Sequence, residues 1–354
     1  MNAAIVDKIV NAVLYEGYML YPYRPSAVKN RQRFNFGVVY PRTYSEAGGG
    51  TDSWSMQTEC LVVGNAQTRC ALQVRFLRMV TRSFSKPVTP PTDRSAFTPE
   101  GLQAVDTLEA NGKTFYPWQE AVEESIKVNE FSPAGLAAQP LQQHFHLPAA
   151  RDREAFRDDA GLIIGVIQRD KSSITGTIKL QAEPLDQRLF KLTVGIFNES
   201  ELDNLNSITR DAALSLSLVS THTILEARAG EFVSLVDPPD TYREFTTTCQ
   251  NVGTWPVLVG DPGQRNTLLS SPIILYDYPQ IAPESPGDLF DGAEIDEILS
   301  LRIMTMTDQE KREMRDSDER ARKILERTEA LPEEQFMKLH GALRGLRAVK
   351  GEAP

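Results

Sequence analysis

The sequence predicts an α+β fold, a strand-rich mixed core with a helical C-terminal segment. Three features predict it. Runs of branched and aromatic residues bounded by Gly and Pro recur between residues 34 and 279, which is strand chemistry. The N-terminal residues instead place Ile5, Ile9, Ala12 and Val13 at helical spacing. Beyond Pro286 the texture becomes charged and rich in helix-start signals. The chain divides accordingly into a mixed core over 1–286, with candidate subdomain breaks near 86–112 or 148–160, and a helical segment over 287–354.

In chain order, the first helix is expected to end by Gly17, and FNFGVVY at 34–40 reads as a strand closed by Pro41. A turn over Gly48, Gly49 and Gly50 leads to two strands, MQTECLVVG and ALQVRFLRMVTRSF. In the second, Leu72, Val74, Phe76 and Arg78 alternate with Gln73, Arg75 and Leu77, so one face should be buried. KPVTPPTDR at 86–94 reads as a loop, because its prolines lack the amide donor a sheet needs. Strand chemistry resumes in GKTFYPWQEAVEESIKV from 112. GLIIGVIQRD and ITGTIKLQAE read as an antiparallel pair turning at Lys171, Ser172 and Ser173, and FKLTVGIFNES follows from 190.

TRDAALSLSLV reads as helix, then strand. HTILEA and EFVSLVDPP flank 228–230 as a hairpin would. Asp240 is placed to cap a short helix carrying Tyr242, Phe245 and Cys249. WPVLVG and SPIILYDYP read as buried strands around the polar loop DPGQRNTLL. In the C-terminal segment Asp291 precedes Glu294, and Thr307 precedes Glu310, by the three residues of a capping box. Ser317 opens a run with Ala321, Ile324, Leu325 and Thr328 on one stripe, and a last helix after Pro332 aligns Phe336, Leu339, Leu343 and Leu346.

Charge narrows the function. Against 38 basic residues stand 48 acidic ones, a net −10 that repels a phosphate backbone, so nucleic acid is a poor partner. A local basic group, Arg24, Lys29, Arg31 and Arg33 with Tyr21, Tyr23, Phe34 and Phe36, lacks the spacing of an RNA- or DNA-binding motif. No run approaches the ~20 apolar residues of a membrane span, the richest being LIIGVI at 162–167, and the N-terminus lacks the pattern of a signal peptide. Cys60, Cys70 and Cys249 match neither a disulfide framework nor a zinc ribbon, which points to the cytosol.

Motifs for nucleophile elbows, dinucleotide loops, phosphate loops and zinc proteases do not occur. His144 and His146 would share one side of a strand and, with Cys60 or Cys70, form a candidate transition-metal site; each also fits a structural role. His222 reads as an ordinary hydrogen-bonded histidine and His340 as a surface residue. The densest feature is the acidic stretch 277–297, with Asp277, Glu284, Asp288, Asp291, Glu294, Asp296 and Glu297 and no basic residue before Arg302. It fits divalent-metal binding, a docking surface anchored by Tyr276, Tyr278 and Phe290, or a solvated helix start.

SSPIILYDYPQIAPESPGDLFDGAEIDEILSLRIMTMTDQEK, with NVGTWPVLVG and LYEGYMLYPYRPSAVKNRQRFNFGVVYP, resembles a bacterial family encoded beside nickel–iron hydrogenases, especially the high-affinity type of soil bacteria. The resemblance spans about residues 14–330 and transfers no catalytic residues. It implies an accessory, assembly or maturation role through contact with a hydrogenase subunit or maturation protein, needing no cofactor of its own. The expected contact residues are Tyr21, Tyr23 and Arg24, together with Tyr276, Asp277, Tyr278, Asp288, Phe290, Asp291 and Asp296. The competing expectation is a metal-handling protein or enzyme that uses His144 and His146 or the acidic stretch.

Overall fold

The computed structural model describes residues 3–16, 36–88, 101–110, 113–158, 161–202, 208–280, 303–317 and 319–330. In chain order the elements are α1 (Ala3–Glu16), α2 (Arg42–Ala47), β1 (Ser55–Val63), β2 (Arg69–Pro87), β3 (Leu102–Val105), β4 (Leu108–Ala110), β5 (Lys113–Phe115), β6 (Trp118–Phe131) and α3 (Pro133–Ala138). They continue as β7 (Leu141–Leu147), β8 (Ala150–Arg157), β9 (Ile163–Lys171), β10 (Ile174–Pro184), β11 (Leu189–Asn198), α4 (Arg210–Leu214), β12 (Val219–Arg228) and β13 (Glu231–Phe232). A 3₁₀ turn (Asp240–Tyr242), α5 (Arg243–Thr246), β14 (Trp255–Leu258), β15 (Thr267–Ser271), α6 (Asp308–Ser317) and α7 (Glu319–Glu329) complete them. Strand takes 47% and helix 21%, so strands dominate the mixed class.

Two antiparallel sheets face each other. One runs β13-β1-β11-β10-β7; the other runs β14-β15-β12-β2-β9-β8, with β3 and β6 also paired to β2. Between them lies a core to which both contribute, including Cys60 and Val62 of β1, Leu72, Val74 and Phe76 of β2, Ile178 and Leu180 of β10, and Leu192 and Val194 of β11. Burying such branched and aromatic side chains contributes roughly 1.5–3 kcal/mol each. On the outer side of the β2 sheet, Val6, Ile9, Val10 and Val13 of α1 pack on Ile224, Val257 and Leu269. A second outer cluster joins Leu14 of α1, Leu77 and Met79 of β2, and Met314, Ile324 and Leu325 of α6 and α7. Both faces of β2 are therefore covered along much of its length, not the single face that its alternation suggested.

Several expected elements hold. The capping box at α6 is made in both directions: Thr307 N–H donates to Glu310 Oε2 at 2.7 Å, and Glu310 N–H donates to Thr307 Oγ1 at 3.3 Å. Ile324, Leu325 and Thr328 form the buried stripe of α7. Residues 209–219 are helix, then strand, with Thr209 capping Ala212 N–H. The Asp291/Glu294 box and the helix after Pro332 lie outside the described residues.

The strand pairings differ more. β9 and β10, read as a hairpin, belong to different sheets: β9 pairs with β2 and β8, β10 with β11 and β7. The turn at 228–230 likewise does not close a hairpin, since β13 leaves β12 and pairs with β1. In both places a short turn carries the chain across the sandwich, Ser172–Ser173 in one and Ala229–Gly230 in the other. Residues 36–40 make one bridge, Val39 to Leu218, instead of a strand. Gly37 is left-handed at φ +53°, and a Cβ there would lie 2.5 Å from Pro272.

Smaller corrections share local causes. β2 runs on to Pro87, opposite Leu102, so the first two residues of KPVTPPTDR extend a strand end where a missing donor costs little. The strand expected in SPIILYDYP is Thr267–Ser271 and stops at Pro272. Asp240 does not cap; Pro239 takes that place and Asp240 pairs with Arg243 at 2.8 Å. Among the described residues no helix is long and apolar enough to cross a membrane.

Candidate functional site

Beyond β15 the chain forms a strap along the free edge of β14. Tyr278 N–H donates to Leu258 O at 2.7 Å, and Leu258 N–H donates to Asp277 Oδ1 at 2.8 Å, so one residue of β14 is bonded in both directions. The other Asp277 oxygen accepts the Ser234 hydroxyl, and Ser234 Oγ accepts from the backbone N–H of Asp237 at 2.8 Å. Asp277 thus ties the strap to the β14 edge and to the turn after β13. Tyr278 sits at φ +56°, uncommon for a residue with a side chain, and its ring packs on the main core. Leu275 is buried beneath the α1 cluster. Ile274 and Tyr276, on either side of Leu275, point outward, 74% and 83% exposed.

The expected contact residues therefore separate. Tyr276 is displayed, Asp277 is spent on internal hydrogen bonds, and Tyr278 is half-buried against the core. Tyr21, Tyr23, Arg24, Asp288, Phe290, Asp291 and Asp296 lie outside the described residues.

His144 and His146 do share the exposed side of β7, as period two requires. His144 is already engaged at both ring nitrogens, Nδ1 with Thr177 Oγ1 at 2.8 Å and Nε2 with Gln142 at 3.1 Å. The Thr177 hydroxyl in turn donates to Glu199 at 2.7 Å. Cys60 and Cys70 are buried in the main core, away from that surface. Burial pushes the Cys60 thiol well up and the Cys70 thiol to about 12, so neither offers a ready thiolate. The Cys249 thiol is pushed up to about 11 by burial, then by Glu59. Among the described residues no group of three or more His, Cys, Asp or Glu is placed to hold a metal ion. The histidine–cysteine site is thus not brought together.

His222 is fully buried, with Nδ1 on Ser220 O at 2.8 Å and Nε2 on Ser271 Oγ at 3.2 Å. Its pKa is lowered to about 4, by burial first and by the neighbouring Arg75 charge as well. It is the hydrogen-bonded histidine that its sequence context suggested.

β2 carries three buried arginines: Arg78, on the face expected to be buried, and Arg75 and Arg82, which the alternation did not single out. Arg75 binds Glu123, Asp7 and Asn11; Arg78 binds Glu124 at 3.3 Å and the carbonyls of Pro148 and Ser172 at 2.6 Å each; Arg82 binds Glu120 at 3.1 Å. Their carboxylate partners on β6 are the glutamates of WQEAVEESIKV. An arginine-studded strand beside a glutamate-studded one was the available signal, and it marks a pairing of strands more than a reactive centre. No family model and no curated protein matches the chain.

Proposed function

We propose that this protein is an accessory, assembly or maturation factor that works by protein–protein contact in the cytosol, its partner a nickel–iron hydrogenase subunit or maturation protein. The observation that carries the contact role is the strap: Tyr276 and Ile274 stand in solvent while Asp277 and Tyr278 hold the backbone between β14 and the core. An aromatic and an aliphatic side chain on fixed backbone lose little conformational freedom on docking, and aromatic anchors carry much of the energy at interfaces. The partner class rests on the family resemblance of residues 14–330.

The test is affinity measurement against purified nickel–iron hydrogenase subunits and maturation proteins. Tyr276→Ala combined with Ile274→Ser should weaken binding by at least about tenfold, or about 1.4 kcal/mol. Unchanged affinity in that variant removes the strap from the contact surface. Absence of binding to every hydrogenase component removes the proposed partner.

A further inference from the structure

On the outer face of the eight-stranded sheet, α1 covers β2 as far as Arg75, which binds Asp7 and Asn11 of that helix. Past the helix none of the described residues covers the sheet, and β6, β2 and β12 form the floor and walls of a groove of about 570 Å³. That size falls among small-ligand sites, roughly 300–1,000 Å³. Ala71 opens the groove because its small side chain lies between longer neighbours, Glu226 opposite it on β12 and the β6 wall on its other side. The far end is closed by an ion pair at 2.9 Å between Arg228 of β12 and Glu130 of β6. Since β2 runs between those strands, the pair spans it.

Inside these limits the walls carry opposite charges. Lys127 projects from β6 beside Gln73, and Glu226 from β12 beside Ala71. Neither makes an ion pair among the described residues. Arg69 uses one nitrogen on the carbonyls of Ala66 and Thr68, at 3.0 and 2.9 Å, and lines the groove. The two walls are two strand spacings apart, roughly 10 Å at the backbone. Their charged tips bracket the space left above Ala71.

We propose that this groove binds a short zwitterionic peptide, its carboxylate against Lys127 and Arg69 and its ammonium against Glu226. A simple anion would gain nothing from Glu226, and a simple cation would face Lys127 and Arg69. A ligand with both charges uses both walls.

The experiment is calorimetric titration of the full chain with triglycine, N-acetyl-triglycine and triglycine amide. Saturable triglycine binding is expected, weakened about tenfold by N-acetylation and equally by Glu226→Gln, with no further loss when the two are combined. Amidation and Lys127→Ala should pair in the same way. Ala71→Leu, which fills the floor without changing charge, should abolish binding while thermal melting shows the fold intact. Absence of saturable triglycine binding at millimolar concentration overturns the proposal, as does N-acetyl-triglycine binding as tightly as triglycine.

Discussion

The two halves of β2 solve one problem in opposite ways. Along a single face the strand presents Leu72, Val74 and Phe76, then Arg78, Val80, Arg82 and Phe84. In the first half the five-stranded sheet lies opposite, and apolar side chains from both sheets fill the gap. At Arg78 that sheet gives way to the two crossings that join the sheets, β7 to β8 and β9 to β10, and the guanidinium binds a carbonyl in each. Farther on, Phe84 packs with Leu108 of the β4–β5 hairpin and Ile167 of β9 in a small cluster of its own. Regular sheets satisfy their own carbonyls, so apolar packing suffices between them; crossing segments leave carbonyls that need a donor. An arginine supplies five donors from one side chain.

This contrast can be broken by substitution. Phe76→Ala, in the two-sheet half, should cost about 4 kcal/mol in denaturant unfolding, because a fully buried ring leaves a cavity. Arg78→Ala should cost about 3 kcal/mol by leaving two carbonyls and Glu124 without their donor. If Arg78→Met with Glu124→Leu restores full stability, then the carboxylate and not the crossings is what the arginine serves.

The face beneath α1 sharpens the contrast through pH. There Arg75 and His222 are cross-strand neighbours, and only the arginine is charged. A histidine whose folded pKa lies near 4 against an ordinary 6.5 contributes stability that is complete above pH 6.5 and lost as pH falls toward 4. By pH 5 the loss should be about 2 kcal/mol. His222→Gln should flatten that limb of the stability profile; an unchanged limb would assign acid sensitivity elsewhere. The smallest effect belongs to Arg169 and Glu154, 30% and 63% exposed, at 3.0 Å. Glu154→Ala should change stability by less than about 0.5 kcal/mol, since water screens that pair as it cannot screen Arg78.

The same contrast explains what sequence could reveal. β1, β10 and β11 were legible as strands because branched residues alternate or run together, and α6 because Thr307 and Glu310 stand three apart. Pairing was not legible. Ser172 and Ser173, or Ala229 at φ +52°, show that the chain turns, while which strand it then joins depends on residues far away. The strap shows the same limit: SPIILYDYP has the composition of a buried strand, yet Pro272 ends β15 and the hydrogen bonds to Leu258 decide that Tyr276 faces out and Tyr278 in. Asp277 counted as one acid among many until its two partners were placed.

Arg78 also bears on the order of events during synthesis. Its carbonyl partners lie 70 and 94 residues farther along the chain. When the 19-residue β2 leaves the ribosome, those residues have not yet been made. A long strand of branched and aromatic side chains without neighbours is the kind of segment that self-associates, and charges spaced through it discourage such stacking. Arg75, Arg78 and Arg82 thus all serve as solubilising charges on the nascent chain, and Arg78 serves a second time, once the crossings arrive, as the clamp that closes over them.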